Sequence, residues 1–249
     1  MTRLRVATLN ILNLADRWEE RLPLLLADAA ALRPDLLGLQ EVVYPMQQDR
    51  LLAAATPDEY GVHRGWAGRP EYGNSLLVRS PLAAAGEVDR LDLGHRRAAH
   101  RVLVPLPDGP TLLVAVTHLH HRVPDAALRD EQAATLVAWL DAAPPASVQV
   151  VMGDFNADPA EPAYARMVAA GFRSAYAEAN GAEPSVTWPS GLQAPAMDTD
   201  GDPACLDYVW LRGQASVLHA RLWADRPAAD DPTLYPSDHL GVVATVEIE

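Results

Sequence analysis

The chain opens with alternating apolar and polar positions, and Leu4 to Asn10 reads as a strand of period two. From Arg17 to Leu32 the apolar residues recur at helical spacing. They stop before Arg33-Pro34, a natural helix exit because proline pushes the residue before it out of the helical region. Leu36 to Glu41 is a short apolar run that ends in polar residues. Further strands are predicted at Ser75–Arg79, Ala98–Pro105, Thr111–His118, Val148–Gly153, Leu206–Leu211 and Val242–Ile248, with a helix over Asp125–Asp141 between two of them. Asn180 to Ala204, rich in Pro, Gly and Asp, reads as a long surface loop. Many strands and few helices predict two packed sheets flanked by helices rather than a regular βαβ winding. No repeat, low-complexity tract or linker interrupts the pattern, so the 249 residues are expected to form one domain.

The ends of these strands hold residues suited to chemistry. Asn10 closes the first, Gln40-Glu41 the second, Thr117-His118 a third, and Asp154 and Asn156 a fourth. Asp207 opens a later strand, and Ser237-Asp238-His239 precedes the last. Strand ends are rigid platforms on which residues distant in sequence can converge. Leu39-Gln40-Glu41-Val42 offers a carboxylate of the kind a hard cation such as Mg²⁺ prefers, although alone it is the pattern of a solvated glutamate. Met152 to Asp158, MGDFNAD, is more specific. An apolar strand runs into a glycine that gives backbone room, and Asp154 and Asn156 share one side while the chain stays extended. Asp can orient or deprotonate a water, and Asn can donate to a phosphate oxygen; the plain alternative is an Asx turn.

Leu206-Asp207-Tyr208-Val209 supplies a further carboxylate, and a buried Asp touching His239 would fix its tautomer and raise its pKa. Each of these, taken alone, equally fits a capping or loop residue. Thr117-His118-Leu119-His120-His121 has two readings. His118 alone is a phosphate-binding imidazole at a strand end, or the histidines form a zinc cluster of metallo-β-lactamase type. The zinc pattern needs an Asp-His pair next, where Arg122-Val123 stands, and the remaining histidines show no zinc-ligand pairing. His120 and His121 therefore read as loop residues.

Charge changes the substrate picture. The net charge is −13, and all 20 basic residues are arginine. Without lysine there is no Schiff-base chemistry, P-loop lysine or lysine general base. Proteins that grip long nucleic acid usually present a basic face, whereas the mean field here repels a polyanion. A local groove could override it, with Arg64, Arg69, Arg96, Arg97 and Arg101 as candidates. The longest apolar run, Leu22–Leu32, is interrupted by Pro23 and Asp28 and is too short for a bilayer. The first residues enter a strand with no signal-peptide hydrophobic region, so the cytoplasm is the expected compartment; a monomer is expected. Cys205, the single cysteine, excludes an intramolecular disulfide.

Taken together and in order, LQEV, GDFN, LDYV and SDH resemble the endonuclease/exonuclease/phosphatase superfamily, which includes pancreatic deoxyribonuclease, abasic-site endonucleases, bacterial sphingomyelinases and inositol polyphosphate phosphatases. The resemblance runs from Thr8-Leu9-Asn10 to Ser237-Asp238-His239. It implies an α/β four-layer sandwich, two central mixed β-sheets flanked by helices, with the site at one end of the facing sheets. It also implies a Mg²⁺-dependent hydrolase of phosphate esters, with Mn²⁺ able to substitute. By that resemblance Glu41 is the main metal carboxylate, with Asn10 beside it and Asp238 assisting. Asp154 aligns the attacking water and Asn156 holds the scissile phosphate. His239, supported by Asp207, is general base or phosphate ligand, and His118 contacts the phosphate from the other side. Asn74 in YGNSLLVRS and Arg101 in HRVLV fall where family members place phosphate-facing residues. Leu12 stands where abasic-site nucleases carry Asp, and no basic arm is present to grip a duplex. A small-molecule or lipid-headgroup phosphate ester is therefore favoured over nucleic acid as substrate.

Overall fold

The computed structural model describes every residue except 108, 196 and 198–200. The described strands form two six-stranded sheets. One contains β1 (Thr2–Asn10), β2 (Leu36–Val43), β3 (Tyr60–Gly65), β4 (Tyr72–Arg79), β11 (Ala215–Trp223) and β12 (Gly241–Ile248), in the order β11-β12-β1-β2-β4-β3. The other contains β5 (Ala85–Asp92), β6 (Ala98–Pro105), β7 (Thr111–His118), β8 (Val148–Asp154), β9 (Arg173–Ser174) and β10 (Asp207–Gly213), in the order β5-β6-β7-β8-β10-β9. The helices are α1 (Trp18–Leu32), α2 (Gln48–Ala54), α3 (Ala126–Asp141), α4 (Pro162–Ala169) and α5 (Ala175–Asn180).

Period-two alternation explains the layering, because successive side chains on a strand face opposite sides. Leu4 and Val6 of β1 pack inward with Val114 and Val116 of β7, Val150 and Met152 of β8, and Val209 of β10, filling the space between the sheets. Ala7 and Leu9 point the other way, onto Leu25 and Ala29 of α1. Leu113 and Ala115 of β7 and Val151 of β8 likewise meet Ala133, Leu136 and Leu140 of α3 and Met167 of α4. The result is the expected four-layer sandwich, helices outside and two mixed sheets within.

Only two pairings among the described strands are parallel, β1 with β2 and β7 with β8. Each pair is bridged by a helix, α1 or α3, so each sheet has one βαβ unit at its centre. The carboxyl ends of these four strands carry Asn10, Gln40-Glu41, His118 and Asp154, and they emerge at one edge of the sandwich. β10 runs antiparallel to β8, so Asp207 at its start pairs with Asp154 at the end of β8. β12 runs antiparallel to β1 and brings the segment before it, Ser237-Asp238-His239, to the same edge. Ligands in open α/β sheets favour this position, outside the carboxyl ends of the strands.

The expected strands and both expected helices are present within a few residues. The elements absent from the sequence reading are β3, β5, β9 and β11 and the short helices α2, α4 and α5. β5 is exposed at nearly every position and β11 at about half, so neither shows a clear apolar alternation. The three helices have 6 to 8 residues, too few for a helical period to stand out. No described helix is long and apolar enough to cross a membrane.

Candidate active site

Seven residues named from strand ends, Asn10, Glu41, His118, Asp154, Asn156, Asp238 and His239, line one cavity of about 610 Å³. Local backbone irregularity aims two of them. The register of β2 on β4 shifts between Leu39 and Val42, and Glu41 inside this bulge has φ 61°. A bulge re-aims a side chain, and left-handed strain in a non-glycine residue is characteristic of functional positions. Asn156 is also left-handed, at φ 50°. The chain does not stay extended after Asp154, the condition on which Asp154 and Asn156 would share one side of a strand. It turns, with the Asn156 backbone N–H donating to Asp154 Oδ1 at 2.8 Å and the Asn156 amide donating to Leu119 O at 3.1 Å. The Asx turn and the functional placement are one geometry. Gly153 does supply room: its φ is 150°, and an added Cβ would lie 2.0 Å from the Thr117 carbonyl oxygen.

Asp154 is the hub. Its Oδ2 accepts from Asn10 Nδ2 at 3.0 Å and lies 3.3 Å from His118 Nε2 and 3.8 Å from His239 Nε2. His239 Nδ1 sits 2.9 Å from Asp207 Oδ2, so the carboxylate holds the ring from behind. Asp207 is fully buried and does not itself line the cavity. The two imidazoles differ sharply. Burial pushes His118 well below the ordinary histidine range, and the Arg97 guanidinium adds to the fall. Burial also works against a charged His239, but Asp207, Asp238 and Asp154 outweigh it and hold the ring well above that range. Burial raises Asp154 above the usual carboxylate range; Asp207 adds to the rise, while His239 and Asn10 oppose it. Environments that drive neighbouring groups apart in this way are the usual basis for acid and base roles.

Two groupings could hold a cation. Asp154, Asp207 and His239 present ligand atoms within 4.8 Å of one another. Glu41 accepts from Asn13 Nδ2 at 2.6 Å and lies 3.5 Å from Asn10 Nδ2, the same amide that reaches Asp154. Two carboxylates thus share neutral amide donors, and no described arginine forms an ion pair with Glu41. This oxygen-rich, undercompensated face suits a hard divalent cation.

Supporting residues emerge only in three dimensions. Asn13, three positions after Asn10 in NILN, is the signal the sequence reading passed over. Arg21 of α1 is fully buried and donates to the carbonyls of Ile11, Leu12, Ala15, Asp16 and Pro236, pinning the loop after β1 to the segment before His239. Gln48 of α2 holds Asn13 O at 2.8 Å. The segment read as a surface loop is partly buried: Thr187 is fully enclosed and accepts from the N–H groups of Leu206 and Asp207. Trp188 lines the cavity and donates to Asp238 Oδ2 at 3.2 Å. Residues 196 and 198–200 of that segment lie outside the described residues.

Two candidates are placed elsewhere. Arg101 was expected at a phosphate, but its guanidinium bonds Asp89 and Trp139 O and lies over the Trp139 ring, 4.0 Å from the centroid. Asn74 donates to Ala98 O at 2.9 Å, linking β4 to β6 of the other sheet. Neither lines the cavity. Of the five arginines considered for a groove, Arg69, Arg96 and Arg97 line it, while Arg64 pairs with Asp49. His120 and His121, read as loop residues, do sit in a loop and also face the cavity.

Similar proteins agree with this architecture. Nocturnin of Xenopus laevis is 26% identical over 258 residues, an alignment covering 91% of this chain and 64% of that protein, so the chain spans under two thirds of its length. An endonuclease/exonuclease/phosphatase structure from Bacteroides vulgatus superposes with TM-score 0.79 at 21% identity, covering all of both chains. D. rerio TDP2 complexed with a single-strand DNA product gives TM-score 0.81 at 18% identity, covering 99% of this chain and all of that one. The Endonuclease/Exonuclease/phosphatase family matches residues 7–239, nearly the whole chain and every motif at the cavity, and the chain belongs to that family.

Proposed function

We propose that this chain is a single-domain, divalent-metal-dependent hydrolase of phosphate esters, with Mg²⁺ as its cation and Mn²⁺ as a substitute. The observation that carries this is the convergence on Asp154 of an amide and two imidazoles of opposite electrostatic character, beside the undercompensated Glu41. Glu41 and Asn10 would hold the cation, with Asn13 and Asp238 beside them. The Asp207 grouping is the weaker metal site, because Asp207 and His239 already bind each other and Asp207 does not reach the cavity. When bound, the cation neutralises charge on the phosphoryl oxygens.

The remaining work falls to the chain. Asp154 orients the attacking water. Asn156 keeps one amide N–H for a phosphate oxygen after giving the other to Leu119. His239, held by Asp207, presents its charged edge to the phosphoryl group, and His118 approaches from the far side. Such preorganised donors act on charge that develops in the transition state, and losing one commonly costs about 10²–10³ in rate.

A small phosphate ester or a lipid headgroup is the favoured substrate, given the net charge of −13. A second reading, hydrolysis of nucleic acid, rests on Arg69, Arg96 and Arg97 along the cavity wall and on the TDP2 relative seen with a DNA product. The test is a panel of phosphomonoesters, phosphodiesters, phospholipid vesicles, single-stranded oligonucleotides and supercoiled plasmid, each with Mg²⁺, Mn²⁺, Zn²⁺ or EDTA. Turnover of small esters or vesicles with Mg²⁺ or Mn²⁺ is expected. Zinc-only or EDTA-resistant activity overturns the proposal. Micromolar duplex binding that weakens steeply with salt, together with efficient nicking, selects the nuclease reading instead.

A further inference from the structure

A guanidinium only donates hydrogen bonds, so any ring nitrogen that receives one must carry a lone pair. Arg97 directs Nη1 to Nδ1 of His118 at 3.0 Å and Nη2 to Nδ1 of His121 at 3.1 Å. Nδ1 of His118 is therefore the acceptor, and the proton of the neutral ring sits on Nε2. That nitrogen lies 3.3 Å from Asp154 Oδ2, and both residues line the cavity.

We propose that Arg97 is a positioning residue that locks His118 in its Nε2–H tautomer, so that the ring's one N–H donor points at the reacting end of the cavity. The other tautomer sets an N–H against the Arg97 guanidinium and a lone pair against the Asp154 carboxylate. Both contacts are repulsive. His239 provides the contrast: it faces the same Asp154 oxygen but is backed by a carboxylate, Asp207, in place of an arginine.

The support for Arg97 is itself built. Three consecutive left-handed residues precede it, Gly94 at φ 74°, His95 at 52° and Arg96 at 62°. Two backbone bonds close this turn, Arg97 N–H to Gly94 O at 2.9 Å and Leu93 N–H to Arg97 O at 2.9 Å. Strain of this kind persists only where the surroundings over-determine it. Here Gln132 of α3 does so, donating to Leu93 O at 3.2 Å and accepting from His120 N–H at 2.9 Å. One side chain thus ties the arginine turn to the histidine segment and fixes their spacing.

The catalytic consequence rests on the phosphoesterase reading; the tautomer does not. The experiment is a long-range ¹H–¹⁵N correlation spectrum of protein labelled with ¹⁵N-histidine, with the His118 signal assigned from its loss in His118→Gln. Wild type is expected to show the Nε2–H pattern, Arg97→Lys to keep it, and Arg97→Met to shift His118 toward Nδ1–H or a mixture. With Mg²⁺ and bis(4-nitrophenyl) phosphate, Arg97→Met should lower kcat at least about tenfold with KM within about twofold. The same change in a His118→Gln background should cost nothing further. An unchanged tautomer in Arg97→Met overturns the inference. So does an equal loss of kcat in the His118→Gln background, which would put Arg97 directly on the substrate. A chain inactive on every phosphate ester sinks the functional reading, and the spectrum alone then decides the tautomer.

Discussion

Gly153→Ala tests whether the geometry of the GDFN segment is as tight as the structure shows. Gly153 pairs with Thr117 across the parallel β7–β8 contact, one position before His118 pairs with Asp154. An added Cβ would lie 2.0 Å from Thr117 O and 2.9 Å from Thr117 C, both backbone atoms. A carbon normally approaches a carbonyl oxygen no closer than about 3.3 Å, so the shortfall exceeds about 1 Å. No side chain can rotate away to relieve it; the two strands must separate where His118 and Asp154 face each other. Left-handed strain of about 1–3 kcal/mol and overpacking of about 1–3 kcal/mol together give about 2–6 kcal/mol. For a chain of this size the fall in Tm is on the order of 5–20 °C. Displacing reacting groups by about 1 Å costs roughly a hundredfold in rate. The control is Gly86→Ala, at φ 76° with open space around the site, where only the backbone term of about 1–2 kcal/mol applies and turnover should be unaffected. Thermal denaturation and kcat on a small diester are measured for both variants. If Gly153→Ala melts no lower than Gly86→Ala and keeps wild-type kcat, the close approach of β7 to β8 is wrong.

Four further outcomes are expected. Dialysis against EDTA should abolish turnover, and Mg²⁺ or Mn²⁺ should restore it where Zn²⁺ does not; activity retained after dialysis would contradict the Glu41 site. Asp154→Asn and His239→Ala should each lower kcat at least about a hundredfold; Tm should barely move in Asp154→Asn, because functional groups often carry a stability cost, and should fall in His239→Ala, which leaves Asp207 buried without its partner; near wild-type turnover in either removes its assigned role. Burial holds His100 down at about 3, against 6.5 for an exposed ring. The unfolded chain then takes a proton below 6.5 that the folded chain refuses, so the His100 contribution is complete above 6.5 and is lost as pH falls, by about 2 kcal/mol at pH 5. Urea unfolding at pH 7 and pH 5 should show His100→Leu losing about 2 kcal/mol less than wild type, and equal losses would refute the burial argument. Arg101→Ala should lower Tm while leaving kcat within about twofold, since its bonds run to Asp89 and Trp139; a tenfold loss of kcat would return Arg101 to the substrate.

What the sequence determined by itself is local or periodic. Alternation at Leu4–Asn10 and helical spacing up to Arg33-Pro34 are covalent and near-neighbour effects, and they located the central strands and the two long helices. The edge strands β5 and β11 escaped because they bury little, and burial is what writes a pattern into a strand. Polar residues at strand ends in GDFN, LDYV and SDH pointed to the candidate site through their joint occurrence, although each alone equally fits a cap, a turn or a loop. Tertiary structure alone decided the remaining pairings. The family resemblance had already paired Asp207 with His239, but that Arg97 backs His118 depends on the turn before β6 meeting the end of β7, and no local spacing encodes it. The same holds for Arg21, an ordinary helix residue in the sequence, which closes five carbonyls around itself once α1 packs against the loop after β1. Arg101 shows the converse: a motif neighbour becomes a structural ion pair because β6 turns it toward Asp89 and α3, away from the cavity. Side-chain chemistry is written residue by residue, but the direction each group faces is set by packing between elements, and that packing is a property of the whole fold.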